Sequence, residues 1–201
     1  MHAEPSDESL MLNYRDGDLG AFKELYRRHS QGLYRFIAWR SPRRDWVDEI
    51  AQDSWANLHH ARARYTPESS FRTYLFQIAR NRLLDLLRQQ QTLLSSEMGG
   101  EDDALAAFDY YADTAQETAS PESALENRQR IADLHAAIRK LPGEQKEALI
   151  LQQFNGMSLG EIAQIVAVPV ETIKSRLRYA MHKLRQDLTQ THSQVASKGA
   201  V

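Results

Sequence analysis

The sequence predicts an all-α protein made of two small helical domains joined by an acidic linker. Apolar residues recur at helical spacings of three and four, whereas no useful length alternates with the period of two that marks a strand. Between positions 93 and 125 the chain is rich in acidic residues and contains no lysine or arginine, a composition that cannot bury much core. We therefore expect an N-terminal domain over 7–91, a flexible linker over 92–125, a C-terminal domain over 126–190 and a disordered tail over 191–201.

The composition excludes several classes of function. The 201 residues include no cysteine, which rules out disulfides, thiolate zinc sites and cysteine nucleophiles. The N-terminus is polar and acidic, so it is not a signal peptide, and no apolar run approaches the roughly 20 residues that span a bilayer. We therefore expect a cytoplasmic protein.

The net charge of −2 is unfavourable at first sight for binding nucleic acid, since phosphate contacts need cations. The charge is segregated, however. The acidic residues of the linker are Glu97, Glu101, Asp102, Asp103, Asp109, Asp113, Glu117 and Glu122. Without them the two domains are jointly basic, which is compatible with DNA binding.

Apolar faces at helical spacing predict the helices of both domains. In the N-terminal domain they are marked by Leu25, Leu33 and Ile37, by Val47, Ile50 and Trp55, and by Phe71, Leu75 and Leu86. In the C-terminal domain they are marked by Ile131, Leu134, Ile138 and Leu141, and by Ala148, Leu149, Leu151 and Phe154. Pro142-Gly143 and Asn155-Gly156 end these two segments.

A helix-turn-helix is predicted near the C-terminus. Ser158 and Glu161 have the spacing of a capping box, which opens a short helix from Leu159 to Val166. The residues 167–169 form a tight turn, and a second helix follows from Val170 to about Leu188.

The outer face of this second helix carries polar and basic residues suited to a DNA groove. Lys174, Ser175 and Arg178 are placed for base edges, and Thr172 and Arg176 suit phosphates. Spacing alone leaves a second interpretation open, an ordinary helical hairpin with a solvated basic face.

Two stretches of the C-terminal domain resemble region 4 of the extracytoplasmic-function (ECF) sigma factors, which belong to the sigma-70 superfamily of bacterial RNA polymerase subunits. They are residues 141–149 (LPGEQKEAL) and 156–177, with GMSLGEIA at the start and PVETIKSRL at the end. In that family region 4 recognises the −35 promoter element. The resemblance therefore assigns −35 recognition to Thr172, Lys174, Ser175, Arg176 and Arg178.

The N-terminal domain resembles region 2 of the same family. Residues 16–26 look like its opening helix pair, residues 48–53 (DEIAQD) look like its polymerase-binding segment, and residues 71–81 (FRTYLFQIARN) look like the helix that melts the −10 element. The order of the motifs and the linker between them also match. The resemblance implies a sigma factor that directs core RNA polymerase to promoters and helps to open them.

Promoter melting requires a cationic track and aromatic contacts to unstacked bases. The residues predicted to bind and melt the −10 element are Tyr65, Ser69, Arg72, Tyr74, Arg80, Asn81 and Arg88. We assign Phe71 to the core. The sequence departs from the family where Tyr74 replaces a frequent tryptophan and where the loop 64–70 lacks a frequent Arg-Gly pair, so the −10 preference is not carried over.

The resemblance also implies partners. Asp48, Glu49, Gln52 and Asp53 are predicted to bind the clamp helices of the largest subunit of core RNA polymerase, and the flap of the second-largest subunit is a further expected contact. Promoter DNA is the second partner. An anti-sigma factor, often membrane-anchored in this family, is the third. The acidic linker has two interpretations, a nucleic-acid mimic in a basic polymerase channel and a plain solubilising tether.

The sequence contains no pattern typical of an enzyme. It lacks a phosphate-binding glycine loop and a dinucleotide fingerprint, and adjacent His59 and His60 would point to different sides of a helix. We expect no catalytic residue, no metal and no cofactor. The alternative function is a dimeric helix-turn-helix regulator that reads a palindromic operator without polymerase.

Overall fold

The computed structural model describes residues 4–94 and 121–198 of the chain. Within these two ranges the chain is helical apart from short connections and contains no strand, which confirms the all-α prediction. Most of the predicted linker, residues 95–120, lies outside the described residues, as do residues 1–3 and 199–201.

Eight α-helices make up the described residues. In the N-terminal half they are α1 (Asp7–Arg15), α2 (Leu19–Arg40), α3 (Asp45–Ala61) and α4 (Phe71–Leu94). In the C-terminal half they are α5 (Pro121–Arg139), α6 (Gly143–Leu149), α7 (Leu159–Val166) and α8 (Val170–Lys198). A 3₁₀ turn over Arg62–Arg64 follows α3, and one turn of π-helix over Ile150–Phe154 follows α6.

Side-chain caps explain where the first two helices begin. The Ser6 hydroxyl accepts from the Ser9 amide at 3.2 Å and begins α1. The Asp18 carboxylate accepts from the amides of Gly20 and Ala21 at 2.7 and 3.3 Å and begins α2. Between them Gly17 has a φ of 110°, a conformation that favours glycine. These caps fix the sharp turn that lays α1 against α2.

The core of the N-terminal half lies between α2, α3 and α4. Its fully buried members include Leu25, Phe36, Ile50, Leu58 and Leu75. Phe71 and Trp55 are buried as well, which confirms their assignment to the core. Apolar residues at helical spacing thus form the core, and the polar faces of α3 and α4 are left to contact binding partners.

The two halves of the chain pack against each other. Buried side chains of both halves belong to one continuous hydrophobic cluster. At the junction the ring of Trp39 on α2 lies 5.4 Å from the ring of His135 on α5 and 6.1 Å from that of Phe154. The helix α4 lies against α7, so the predicted −10 helix contacts the helix-turn-helix.

The prediction of a disordered tail from Thr191 is wrong for residues 191–198. The helix α8 was expected to end at about Leu188, but it continues to Lys198. Glycine and proline are absent from the chain between Val170 and Lys198, so nothing local stops the helix before Gly199.

Candidate nucleic-acid interface

The first helix of the helix-turn-helix and the turn after it lie where the sequence predicts them. The Ser158 hydroxyl accepts from the Glu161 amide at 3.2 Å, and the Glu161 carboxylate accepts from the Ser158 amide at 2.9 Å. Both bonds of the capping box are therefore present, and α7 covers Leu159–Val166. Ala167 ends the helix with a left-handed φ of 56°, which turns the chain into α8.

The inner face of the motif is apolar. Ile162 and Ile165 of α7 and Ile173 and Ala180 of α8 are buried. Their packing sets the orientation of α8 relative to α7, and with it the direction that the outer face of α8 points. That outer face is the predicted −35 surface.

The predicted −35 residues lie in different local environments. Lys174 is exposed and forms a 2.7 Å ion pair with Glu171, and the Ser175 hydroxyl donates to the Glu171 carbonyl at 3.0 Å. Arg176 is only 15% exposed and pairs with Glu144 of α6 at 2.7 Å. Thr172 is half-buried. Arg176 therefore braces α8 against α6 in this conformation.

Arg178 is exposed and lies over the ring of Tyr179 at 5.2 Å. Tyr179 is itself 54% exposed, which is unusual for so large a ring. Tyr179 was not among the predicted −35 residues, although an aromatic residue on a polar helix face is a signal in the sequence. The pair adds a stacked cation and an aromatic surface to the −35 face.

Three of the predicted −10 residues come together around one pocket. We call it the −10 pocket; it has a volume of about 270 Å³ and lies under the loop before α4. Its lining comprises Ala61, Arg64, Tyr65, Thr66, Glu68, Ser69, Tyr74 and Gln77. Tyr65, Ser69 and Tyr74 were predicted for this site, whereas the polar side chains of Arg64, Thr66, Glu68 and Gln77 were not.

Two tyrosines dominate the −10 pocket. The ring of Tyr65 lies 5.4 Å from that of Tyr74. Tyr65 is only 4% exposed, and its buried hydroxyl has no hydrogen-bond partner among the residues that the structure describes. Burial, with smaller contributions from Glu8, Tyr74 and Asp7, raises the pKa of Tyr65 to about 12. A hydroxyl this deeply buried stays neutral, and Tyr65 contributes its ring to the wall of the pocket.

The start of α4 is fixed by a residue far away in the sequence. The Phe71 amide donates to the Glu8 carboxylate of α1 at 2.9 Å. The Ser70 hydroxyl accepts from the Thr73 amide at 3.2 Å. These bonds cap α4 and position the loop that covers the −10 pocket. Glu8 could not be found from sequence spacing, because the contact joins residues 63 positions apart.

The arginines of α4 lie in three different surroundings. Two of them contact the C-terminal half: Arg72 Nη1 donates to the Asn155 carbonyl at 3.0 Å, and Arg80 Nε donates to Glu147 Oε1 at 3.1 Å. Arg82 pairs with Glu49 and Asp53 of α3 at 2.6 and 2.7 Å. Asn81 is exposed, and so is Arg88, which forms a 3.3 Å ion pair with Asp85. The predicted cationic track is thus not one continuous surface in this conformation.

The four residues predicted to bind polymerase separate into two pairs. Glu49 and Asp53 face α4 and are paired with Arg82. Asp48 and Gln52 instead line a groove of about 610 Å³ between α2 and α3, which we call the α2–α3 groove. Its lining comprises Tyr26, Ser30, Gln31, Tyr34, Asp48, Ala51, Gln52 and Trp55.

The α2–α3 groove has an aromatic edge. Tyr26 is 49% exposed, and its ring lies 5.0 Å from that of Trp55. The helical spacing of apolar residues in α2 does not by itself indicate that Tyr26 is exposed. The groove therefore offers an aromatic surface next to an acidic and an amide side chain, which suits an amphipathic helix carrying a basic residue.

The described residues show neither a metal site nor a membrane span. Nowhere in the two described ranges do three or more histidine or acidic side chains cluster so that they could hold a metal ion. Among the same residues, no helix is both long and apolar enough to cross a bilayer.

A helix-turn-helix with a polar, basic outer face is typical of DNA-binding proteins. Comparison with known families gives the same result. Residues 25–92 match sigma-70 region 2, and residues 131–184 match sigma-70 region 4.

Relatives match over nearly the whole chain. The RNA polymerase sigma factor NccH of Alcaligenes xylosoxydans is 31% identical over 185 residues, which cover 90% of this chain and 94% of NccH. The sigma factor CnrH of Cupriavidus metallidurans is 29% identical over 188 residues, which cover 92% of this chain and 95% of CnrH.

Solved structures share the fold. CnrH bound to the cytosolic domain of CnrY superposes with a TM-score of 0.65 at 22% identity, covering 92% of this chain and 99% of that one. RpoE of Bartonella quintana, solved with the anti-sigma factor NepR, superposes with a TM-score of 0.68 at 22% identity, covering 85% and 98%.

The chain belongs to the sigma-70 family and, within it, to the ECF sigma factors. Sigma factors are regulatory proteins rather than catalysts. The chain accordingly acts in promoter-directed transcription initiation that depends on RNA polymerase.

Proposed function

We propose that this sigma factor binds core RNA polymerase through α3, recognises a −35 element with α8, and captures an unstacked base of the −10 element beside α4. The observation that carries the proposal is the meeting of Tyr65, Ser69 and Tyr74 around one pocket at the start of α4. Bases that leave the stack need an aromatic surface and polar partners, and this pocket has both.

Within the −10 pocket each side chain has a distinct task. Tyr74 is half-buried and presents ring surface for stacking, which contributes about 1–3 kcal/mol per base. Tyr65 packs its ring 5.4 Å from that of Tyr74 and holds the stacking ring in place. Glu68 is an exposed acceptor at the same pocket and favours a base with an exocyclic amine, as carboxylates do with cytosine.

The polymerase contact is centred on the α2–α3 groove. Asp48 and Gln52 line it, whereas the charges of Glu49 and Asp53 are already compensated by Arg82. A clamp helix of the largest polymerase subunit would place an apolar side chain against Tyr26 and Trp55 and a basic one near Asp48. Glu49 and Asp53 then serve mainly to join α3 to α4. The flap of the second-largest subunit is the proposed contact of the C-terminal half.

The remaining partners follow from the family. CnrH and RpoE were solved with CnrY and with the anti-sigma factor NepR. We propose that this chain likewise has an anti-sigma partner, that it works in the cytoplasm where the polymerase is, and that it has no catalytic activity of its own.

The proposal is tested by co-elution of the full chain with core RNA polymerase in size-exclusion chromatography. The wild-type chain is expected to co-elute, and the double variant Asp48→Asn, Gln52→Ala is expected to lose most of the complex. Asp16→Asn is the matched control, because Asp16 is an exposed acid of the same half that pairs only locally with Arg15. Absence of any wild-type complex, with binding of a palindromic DNA site in its place, would establish an operator-binding regulator instead.

A further inference from the structure

We propose that a pocket lined by three cations, where the end of α2 meets α5 and α6, binds a small metabolite through its phosphate or diphosphate group. We call it the junction pocket; it has a volume of about 360 Å³. Its lining comprises Ala38, Trp39, Arg40, Ser41, Pro42, Leu87, Arg139 and Lys146. None of these residues is among those proposed to bind promoter DNA or polymerase, so the inference does not depend on the proposed function.

The cations of the junction pocket come from three different helices. Arg40 is the last residue of α2, Arg139 is the last residue of α5, and Lys146 lies in α6. None of the eight described lining residues is acidic, so the pocket has a local excess of positive charge. Cations that converge on a concave surface attract an anion, and a guanidinium binds phosphate through two parallel hydrogen bonds. A phosphate bound there would contact both halves of the chain.

Burial distinguishes these cations from an ordinary solvated basic surface. The side chain of Arg40 is only 13% exposed, Lys146 is half-buried, and Arg139 is exposed. Burial, together with the neighbouring charges of Arg40 and Arg139, lowers the pKa of Lys146. Like charges held this close repel one another, and an anion between them would remove the repulsion. An arrangement that costs the free chain stability in this way is typical of a binding site.

The carboxylates of the described residues compensate these charges only in part. Glu147 Oε1 lies 3.7 Å from Arg40 Nε, but its closer contact is a 3.1 Å hydrogen bond from Arg80 Nε. One carboxylate is thus shared between two arginines. Within the described ranges, neither Arg139 nor Lys146 forms an ion pair with an acidic side chain. The junction pocket therefore keeps cationic donors that an external anion can use.

A glycine gives the Arg40 guanidinium its position in the junction pocket. A Cβ added to Gly143, the first residue of α6, would lie 2.7 Å from Arg40 Nη1. The guanidinium therefore lies directly against the backbone of α6, and any side chain at position 143 would displace it. Alanine favours a helix more than glycine does, so helix formation does not explain this residue. The missing side chain instead keeps Arg40 close to Lys146.

The size and the lining of the junction pocket limit the class of ligand. Small-molecule pockets have volumes of about 300–1,000 Å³, and this pocket lies near the lower end of that range. A phosphate monoester carries a charge of about −1.5 to −2 at pH 7 and a diphosphate carries more, which matches three cations. Pro42 and Leu87 line the same pocket and offer apolar surface to the organic part of the ligand. These features fit a small phosphate or diphosphate ester.

The first experiment is a calorimetric titration of the full chain with pyrophosphate in a chloride buffer. Wild type is expected to bind it saturably, and Arg139→Gln and Lys146→Gln should each weaken binding about tenfold or more, because each removes a charged donor. Both variants should keep or raise the unfolding temperature of the free chain, since each relieves repulsion. Lys140→Gln is the control, because it removes the same charge next to Arg139 but outside the pocket, where Lys140 pairs with Asp187. It should retain the wild-type affinity.

Gly143→Ala is a further variant that changes no charge. It displaces the Arg40 guanidinium while favouring the helix, so it should weaken pyrophosphate binding and leave the circular dichroism spectrum unchanged. Competition with a short DNA duplex separates the two sources of phosphate, and the duplex should not displace pyrophosphate.

Three results would overturn the proposal: no saturable binding to wild type, an equal loss of affinity in Lys140→Gln and Arg139→Gln, or displacement of pyrophosphate by the duplex. The last result would assign these cations to the DNA backbone. None of these measurements uses polymerase or a promoter, so failure of the proposed function would be recognised separately.

Discussion

Arg82 of α4 donates to the Asp53 carboxylate of α3 at 2.7 Å. The same guanidinium reaches Glu49 at 2.6 Å, so one cation of the −10 helix compensates two carboxylates of the proposed polymerase-binding helix. Asp48, by contrast, faces the α2–α3 groove. Glu49 and Asp53 therefore join α3 to α4, whereas Asp48 is available to a binding partner.

This division predicts unequal effects of charge removal on polymerase binding. Asp48→Asn should weaken the affinity for core polymerase about tenfold, because its charge is available to a basic partner. Asp53→Asn should change it less than about threefold, since that charge is compensated within the chain. Fluorescence anisotropy with labelled chain and core polymerase measures both. Equal losses for the two variants would contradict the division.

The two tyrosines of the −10 pocket are predicted to respond differently to substitution. Tyr74→Ala should weaken binding of the open −10 strand by about 1–3 kcal/mol, whereas Tyr74→Phe retains the ring and most of the affinity. Tyr65→Phe removes a buried hydroxyl that has no partner among the described residues, so it should neither destabilise the free chain nor change the base preference at the −10 element. Unfolding midpoints and transcription from a randomised −10 library check both outcomes.

Arg178 lies on the predicted −35 surface. Arg178→Ala should weaken promoter binding by about 1–3 kcal/mol and change the base preference at the −35 element. Arg178 is exposed and stacked on Tyr179, whereas Arg176 pairs with Glu144. Arg176→Ala should therefore alter the stability of the C-terminal half as well as affinity. Selection of −35 sequences by the variant holoenzymes distinguishes the two. Identical base preferences for wild type and Arg178→Ala would exclude Arg178 as a base contact.

The capping box of α7 predicts a stability effect. Ser158→Ala removes the acceptor for the Glu161 amide and should cost about 0.5–2 kcal/mol of unfolding free energy. Ser158→Thr retains the hydroxyl and should cost less. Urea unfolding followed by circular dichroism measures both. Equal losses for alanine and threonine would show that the hydroxyl is not the stabilising group.

A pH effect is predicted where α1 meets α2. His29 is half-buried, and burial lowers its pKa against the opposing influence of Asp7, with Arg72 and Arg28 lowering it further. Because the folded chain disfavours the protonated ring, the unfolded chain binds the proton more readily. The contribution of His29 to stability is complete above the unfolded pKa of about 6.5 and is lost as the pH falls through the lower folded pKa. Stability should therefore decrease on acidification below about pH 6.5, and His29→Gln should reduce that decrease.

Where neighbouring residues determine the ends of a helix, the sequence predicted those ends. The helix α7 has the predicted bounds because Ser158, Glu161 and the turn at Ala167 specify both ends. The helix α8 continues to Lys198, beyond the expected end at about Leu188, because neither glycine nor proline interrupts it. The members of the −10 site were predicted from a resemblance, and the structure brings Tyr65, Ser69 and Tyr74 to one pocket.

Contacts between distant residues were not predictable from spacing. Arg72 and Arg80 meet Glu161 and Glu147 only because the two halves pack together. The cap of α4 by Glu8 likewise depends on the docking of α1. The role of the acidic linker stays a prediction, because residues 95–120 lie outside the described residues.

Mapping of transcript starts on genomic DNA of the source bacterium tests the central claim most directly. Core polymerase alone and core polymerase with the full chain are compared, and Tyr74→Ala serves as the variant with an impaired −10 pocket. The account predicts new start sites that appear only with the chain, share a −35 and a −10 motif, and weaken with Tyr74→Ala. An unchanged set of start sites, together with tight binding of a palindromic site in the absence of polymerase, would contradict it.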